Sequence, residues 1–151
     1  MREYLEKVRH YCSYQERCHS EVRNKLFELG ARGLDLDNII VRLIEDNFLN
    51  EERFAIAYAG GKFRQKKWGR IKITLELKAR KISEYCIKKA LKEIDEDDYI
   101  QTLDNIIYKK SGALKVKNTI AKKMKLATYG MSRGYEQDLV WSAVNRMVDT
   151  V

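Results

Sequence analysis

Cysteine and histidine side chains cluster near the N-terminus, and their spacing raises the question of a metal site. His10, Cys12, Cys18 and His19 lie within ten residues, and zinc binds through Cys and His. Zinc ligands usually come as C-x2-C or H-x3-H pairs, and neither spacing occurs here. We therefore interpret the cluster as one buried cysteine and three helix-surface or loop residues, and we expect no metal and no cofactor. The odd count of 3 cysteines indicates reduced thiols rather than a disulfide framework.

Patterns typical of enzymes are not found elsewhere. Gly60-Gly61-Lys62 lacks the rest of a phosphate-binding loop and is predicted to lie in or near a helix. The carboxylates of Asp95, Glu96, Asp97 and Asp98 fall at a predicted helix start, where the helix dipole accounts for them. No nucleophile sits beside a histidine in a recognisable motif. The sequence therefore predicts a binding protein and not an enzyme.

Positive charge is concentrated in the last two thirds of the chain. The net charge is +8, and residues 1–50 hold 8 basic and 9 acidic residues, against 13 and 9 in 51–100 and 9 and 4 in 101–151. From Lys62 to Lys92 there are 12 basic residues and only two acidic ones, and from Lys109 to Lys125 there are 7 lysines and no acid. Such a field attracts nucleic acid, an acidic protein surface or a nucleoprotein.

Two interpretations of this charge are open. The basic runs can solvate helix faces, but unbalanced like charges repel one another at helical spacing, which favours a functional basic face. Trp68, among basic residues, can stack on a base or a partner, or can be a core anchor at a repeat junction. Trp141, before an apolar stripe, is predicted to be core. The predicted partner-binding or nucleic-acid-binding residues are Arg64, Lys66, Lys67, Trp68, Arg70, Lys72, Lys78, Lys109, Lys110, Lys115, Lys117, Lys122 and Lys123.

Short amphipathic helices account for most of the chain. The 151 residues include no proline, so helix interiors are uninterrupted. We expect helices capped by Ser20, by Asp35 or Asp37, by Asn50 and by Ser83, another opened by Asp95, and Gly30 ending the first of these. Apolar stripes are predicted at Ile39, Ile40, Leu43 and Ile44, and at Val116, Ile120, Met124 and Ala127. The predicted core includes Leu26, Leu43, Phe54, Leu77 and Leu91.

The segment Ile71 to Leu77 is ambiguous by pattern. Its alternation of apolar and polar residues favours a strand, whereas the pairs Ile71–Leu75 and Ile73–Leu77 favour a helix. A lone strand in a helical chain would leave its backbone groups unpaired. We therefore predict a helix here, and about nine helices in all.

An internal repeat groups these helices in threes. A shift of 100 residues places Leu26 on Leu126, Gly30 on Gly130 and Ile40 on Val140, and a shift of about half that relates the middle copy. The predicted fold is all-α, with three tandem three-helix repeats at residues 1–50, 51–95 and 96–151. Since one three-helix unit buries little by itself, the repeats are expected to share cores. No apolar run approaches the ~20 residues that cross a bilayer, and the N-terminus has no signal-peptide core, so we expect a cytoplasmic protein.

Three segments resemble the RecX family. They are LIEDNFLNEERFAIAY, with Phe48, Leu49, Arg53 and Phe54; WGRIKITLELKARKI, with Gly69, Glu76, Leu77 and Ile82; and SEVRNKLFELG, Ser20 to Gly30. Two departures concern turns: Lys81 stands where that family commonly has a glycine, and three extra residues follow Gly30 and Gly130. The resemblance extends over nearly the whole chain.

The resemblance implies an elongated, curved array of helices. It also implies a monomeric regulator that binds in the groove of the RecA–DNA filament and limits filament growth, ATP hydrolysis, strand exchange and repressor cleavage, as part of DNA repair and the SOS response. An alternative from another class is a helical module that binds nucleic acid directly and needs no recombinase. The two are distinguished by whether binding requires the filament.

Overall fold

The computed structural model of this chain describes residues 2–148 and is all-α over that range. The described residues form nine helices and no strand. The all-α prediction is confirmed, and so is the helix predicted across Ile71 to Leu77. The helices are α1 (Arg2–Tyr14), α2 (His19–Leu29), α3 (Gly33–Glu45), α4 (Glu51–Lys66), α5 (Arg70–Ala79), α6 (Glu84–Lys92), α7 (Glu96–Ala113), α8 (Thr119–Ser132) and α9 (Gln137–Val148).

One turn geometry occurs at four helix ends, and its three occurrences after α2, α5 and α8 define the repeat register. The fourth follows α3, where Asn47 has a φ of 62° and the Phe48 N–H donates to the carbonyl of Leu43. Gly30, Lys81 and Gly134 each end a helix with positive φ, at 107°, 61° and 96°. In each case the next N–H donates to the carbonyl five residues back: Ala31 to Leu26, Ile82 to Leu77, and Tyr135 to Gly130. The three positions are 51 and 53 residues apart, so the first and third copies differ by 104 residues. The predicted shift of 100 was wrong, because Gly130 lies inside α8 and Gly134 is the counterpart of Gly30.

Helix caps were predicted correctly where the capping side chain directly precedes the helix. The Asn50 side chain accepts from the Arg53 N–H at 2.8 Å, Ser83 accepts from the Cys86 N–H at 3.3 Å, and Asp95 accepts from the Asp98 N–H at 3.0 Å. Two other caps were predicted wrongly. Ser20 lies inside α2, which begins at His19, and Asp35 and Asp37 lie inside α3, which begins at Gly33.

Packing divides the described residues into two compact units. The first comprises residues 2–58 and 77–90, and the second comprises residues 59–76 and 91–148. Within the first unit α1, α2 and α3 pack on one another around Val8, Val22, Leu26, Ile39 and Leu43. Within the second unit α7, α8 and α9 pack together and bury Tyr99, Leu103, Ile107, Leu126, Val140 and Val144. Because α4, α5 and α6 contribute to both units, the repeat boundaries at 50 and 95 stay predictions.

Most of the predicted core residues are buried. Leu26, Leu43 and Leu77 are fully buried and Phe54 is 4% exposed, as predicted. Leu91 is only half-buried, so its assignment to the core was wrong. Ile44, Ile120 and Met124 were placed on buried stripes but are exposed. Ile44 and Met124 lie to the side of the residues that their helices bury, and Ile120 lies in the first turn of α8, before its buried residues begin.

Candidate polyanion-binding surface

Residues 66–71, which join α4 to α5, form a clamped turn held by the α8–α9 connection of the same unit. The Gly69 N–H donates to the carbonyl of Arg133 at 2.8 Å, and the Ile71 N–H donates to the carbonyl of Gly134 at 2.9 Å. These N–H groups at the start of α5 would have no partner within the helix. The backbone of the α8–α9 connection therefore caps α5.

Side chains complete the clamp from the opposite direction. The Arg133 guanidinium donates to the carbonyl of Lys66, and the Tyr135 hydroxyl donates to the carbonyl of Lys67 at 3.0 Å. Tyr135 is 1% exposed, so its ring is part of the core while its hydroxyl holds the turn. The basic residues of this turn therefore stand on a fixed backbone.

Close backbone approach explains the glycine in the clamped turn. A Cβ at Gly69 would lie 2.3 Å from the carbonyl carbon and oxygen of Gly134, and a Cβ at Gly134 would lie 2.4 Å from the Cβ of Lys72. Either contact is far below van der Waals distance. Only glycine lets the two chain segments meet at this point.

Arg70 is half-buried in an ion-pair network and does not stand on the open surface predicted for it. Its guanidinium contacts the Glu96 carboxylate at 3.0 and 3.3 Å and the Glu136 carboxylate at 2.9 Å, and it lies 3.8 Å from the centre of the Tyr99 ring. Burial lowers the Arg70 pKa, but hydrogen bonds to Glu96 and Tyr99 outweigh this and the net pKa is raised. Arg70 is therefore a permanently charged structural residue.

Tyr99 links this network to the backbone of α5. Its hydroxyl accepts a hydrogen bond from the Arg70 N–H at 2.9 Å and donates to the carboxylate of Glu136. Burial raises the pKa of Tyr99, and the hydrogen bond to Glu136 raises it further. The neutral hydroxyl thus persists as a donor, and it ties α5, α7 and the start of α9 together.

Trp68 stands on the clamped turn between two lysines. Its ring is half-buried, and the ammonium groups of Lys62 and Lys72 lie 5.1 and 4.7 Å from its centre. Cations within about 6 Å of an indole face are attracted by the ring. Neither sequence alternative describes Trp68 fully, since the ring is neither enclosed in the core nor standing clear of it. Lys62 was not among the predicted site residues, because it reaches the indole only through the turn that follows α4.

Other predicted residues flank this tryptophan. Arg64 and Lys66 are exposed on the last turn of α4. Lys67 is exposed with φ 60°, and its ammonium group donates to the carbonyl of Arg64 at 3.0 Å. These three cations and the pair around Trp68 belong to one unit, and they form the surface that we call the tryptophan patch: Lys62, Arg64, Lys66, Lys67, Trp68 and Lys72.

A second basic feature of the same unit is a cleft with a volume of about 490 Å³. Predicted residues Lys67, Lys109 and Lys110 line it, together with Arg133, which sequence reasoning missed. Thr102, Asn105, Ile106, Ala113 and Tyr129 complete the lining. We call this feature the basic cleft. Arg133 and Tyr129 escaped prediction because they follow the lysine runs and reach the cleft only through the packing of α8 on α7.

The remaining predicted residues are placed elsewhere. Lys115 and Lys117 are exposed in the segment between α7 and α8, and Lys122 and Lys123 are half-buried in the first half of α8. Lys78 is exposed on α5 but belongs to the other compact unit. Trp141, predicted to be core, is half-buried.

The cysteine and histidine cluster does not assemble a metal site within residues 2–148. No group of three or more His, Cys, Asp or Glu residues in that range could hold a metal ion. Cys12, Cys18 and Cys86 are buried free thiols, and burial raises the pKa of Cys12 to about 11. None of the helices from α1 to α9 is long and apolar enough to cross a bilayer.

The fold is that of an all-α repeat protein, and its second unit carries two basic features. The family model described as "RecX, second three-helix domain" matches residues 50–91 of this chain. A protein named regulatory protein RecX from Clostridium perfringens is 33% identical over 131 residues, which cover 85% of this chain and 61% of that protein. Its counterpart from Pelodictyon phaeoclathratiforme is 28% identical over 134 residues, covering 87% and 82%.

A solved structure supports the same assignment at the level of fold. The crystal structure of RecX from Lactobacillus salivarius superposes with a TM-score of 0.86 at 20% identity, and the match covers 100% of both chains. The comparisons thus relate this chain to proteins of the RecX family in sequence and in fold. The chain spans about three fifths of the length of its Clostridium perfringens relatives.

Proposed function

We propose that this protein binds the RecA–DNA filament and lowers RecA activity, including filament extension, ATP hydrolysis, strand exchange and stimulated repressor cleavage. Similarity to the RecX family supports the choice of partner, since the relatives are named regulatory protein RecX. The observation that carries the proposal for this chain is the tryptophan patch, in which two ammonium groups lie over one half-buried indole and three further cations stand at the end of α4 and on the clamped turn.

The clamp makes the patch suited to a regular, charged partner. A filament repeats its phosphates and side chains at fixed spacing, so cations on a fixed backbone meet it with the loss of side-chain freedom but little loss of backbone freedom. No carboxylate lies among the patch residues, and the nearby Glu96 and Glu136 are paired with Arg70. The patch residues therefore bring five positive charges to the end of α4 and the start of α5.

The salt dependence of binding tests this proposal. Arg64, Lys66 and Lys72 should be replaced together by glutamate, with Lys88, Lys89 and Lys92 on the exposed face of α6 replaced in a matched control. Each phosphate contact on a single strand contributes a slope of about −0.7 in log K against log salt. Binding of labelled protein to RecA–DNA filaments, measured by anisotropy, should weaken and lose about 2 from that slope in the first variant.

The control variant carries the same change in charge and should bind filaments as the parent does. If the patch variant keeps the parent's affinity and slope, the patch is only a solvated surface. If both variants lose affinity equally, only net charge matters. If the parent binds naked DNA as tightly as it binds filaments, the protein is a nucleic-acid-binding module that needs no recombinase.

A further inference from the structure

The basic cleft has a composition that the tryptophan patch does not share. One stripe of α7 lines it with Thr102, Asn105, Ile106 and Lys109, spaced at helical intervals. The neighbouring stripe of α7 buries Tyr99, Leu103 and Ile107. Its volume of about 490 Å³ falls in the range of ligand pockets, which are usually 300–1,000 Å³. The cleft is therefore large enough for a small ligand.

Charge in the cleft is strongly unbalanced. Four cations line it, from Lys67, Lys109, Lys110 and Arg133, and no carboxylate does. The nearby Asp104 is paired with Arg146 at 2.7 Å. The cleft thus lacks an internal counter-ion.

Helix dipoles offset only part of this charge. The C-terminal ends of α4, α7 and α8 all reach the cleft, through Lys67, Ala113 and Arg133. A helix C-terminus carries roughly half a negative elementary charge, so three of them contribute about −1.5. Against four full cations this leaves about +2.5, which is more than helix capping requires and which an anion would neutralise.

Neutral groups in the cleft are suited to an aromatic ring. Tyr129 is half-buried, and the Lys110 ammonium lies 4.8 Å from the centre of its ring. Ile106 and Ala113 add aliphatic surface, and Thr102 and Asn105 add hydrogen-bonding groups. Aromatic side chains next to cations hold nucleotides by stacking on the base while the cations hold the phosphate.

We propose that the basic cleft binds a nucleotide, with the phosphate against the four cations and the base against Tyr129. This inference rests on the proposed function, because a nucleoprotein filament is where the protein would meet such a ligand. The nucleotide could be one unit of a single strand or a free nucleoside triphosphate, since the chemistry is shared. The binding test leaves RecA out, so the two proposals can fail separately.

Two fluorescent probes distinguish these sources: an oligothymidylate of about eight nucleotides and an ATP analogue labelled on the ribose. The anisotropy of each is measured with the full protein alone. If the oligonucleotide binds and ATP does not, the ligand is a unit of a strand. If ATP binds, the ligand is a free nucleotide. Either result supports the proposal when the variants below respond as expected.

Three variants assign binding to the cleft. Lys109→Glu with Lys110→Glu should lower the affinity for the probe about tenfold or more, because contacts to charged groups are lost. Tyr129→Leu should weaken it about fivefold, because base stacking is lost. Lys88→Glu with Lys92→Glu makes the same charge change on α6 and should leave binding unaltered. Circular dichroism checks that each variant is folded, and Lys109→Gln with Lys110→Gln replaces the glutamate pair if that pair is not.

Three results would overturn the proposal. The first is that neither probe binds the parent protein. The second is that the α6 control weakens binding as much as the cleft variants do, so that net charge alone is responsible. The third is that Tyr129→Leu binds like the parent and inorganic phosphate displaces the probe at the same concentration as unlabelled nucleotide, which would leave a site for phosphate only.

Discussion

At the scale of residues, the basic side chains of the second unit perform two different tasks. Arg70 holds the structure, because its guanidinium group is paired with Glu96 and Glu136. Arg133 bonds the carbonyl of Lys66, but this bond leaves its positive charge on the lining of the basic cleft. Arg64 and Lys66 are exposed, and the Lys72 ammonium lies over Trp68. Charge-reversing substitutions therefore test binding at Arg64, Lys66 and Lys72, whereas at Arg70 they would test folding.

Residue burial on α5 leads to a prediction about stability. Leu77 is fully buried, whereas Leu75 on the same helix is 63% exposed. Truncation of Leu77 to alanine should lower the free energy of unfolding by about 2–5 kcal/mol, since a core cavity is left. Leu75→Ala removes the same atoms from a site in contact with water and should change it by less than about 0.5 kcal/mol. Urea unfolding of both variants measures this, and equal losses would mean that α5 is rotated relative to its described position.

Individual residue assignments were predictable where local chemistry determines them. Asn50, Ser83 and Asp95 directly precede helices, and a capping side chain needs only its own backbone neighbours. Arg70 was predicted to face a partner because its carboxylate partners, Glu96 and Glu136, are 26 and 66 residues away in the sequence. Such distant pairing is set by packing, which a run of basic residues does not reveal.

At the scale of elements, the clamped turn sets the position of α5. The Gly69 and Ile71 N–H groups of the turn donate to the carbonyls of Arg133 and Gly134. In return, the side chains of Arg133 and Tyr135 donate to carbonyls of the turn. This reciprocal bonding joins segments more than sixty residues apart. The position of the tryptophan patch depends on these hydrogen bonds.

Replacing Gly69 should therefore destabilise the protein. In Gly69→Ala the new methyl group would meet the Gly134 backbone at 2.3 Å, and backbone atoms cannot rotate away as a side chain can. We expect a loss of about 1–3 kcal/mol or more in unfolding free energy. Gly61→Ala is the matched control, because nothing lies within 4 Å of its Cβ and it sits inside α4; it should gain about 0.5–1 kcal/mol. Thermal or urea unfolding that finds Gly69→Ala as stable as the parent would contradict the close approach.

The predicted repeat register was wrong because helices are easier than turns to misalign in sequence. A shift of 100 residues aligned Leu26 with Leu126 because amphipathic helices of similar length resemble one another. The turns are more informative, since Gly30, Lys81 and Gly134 share positive φ and the same hydrogen bonds. Lys81 obscured the middle copy, because a lysine seldom marks a left-handed residue.

At the scale of the whole molecule, the excess of positive charge and the similarity to RecX proteins both support the proposed binding function. The excess of positive charge in residues 51–151 was visible in the sequence, and within the second unit it is collected into the tryptophan patch and the basic cleft. The linear runs could be predicted, but Tyr129 and Arg133 enter the cleft only through the packing of α7 with α8. Lys78 was grouped with the runs by sequence, yet it belongs to the other compact unit.

The most direct test of the central claim is the rate of ATP hydrolysis by RecA on single-stranded DNA, measured with and without this protein at a fixed salt concentration. The parent protein should lower the rate. The variant with glutamate at positions 64, 66 and 72 should lower it much less, and the α6 control should act like the parent. An unchanged rate with the parent, together with a shift of naked DNA in a gel, would contradict the claim and leave direct nucleic-acid binding as the function of the basic surface.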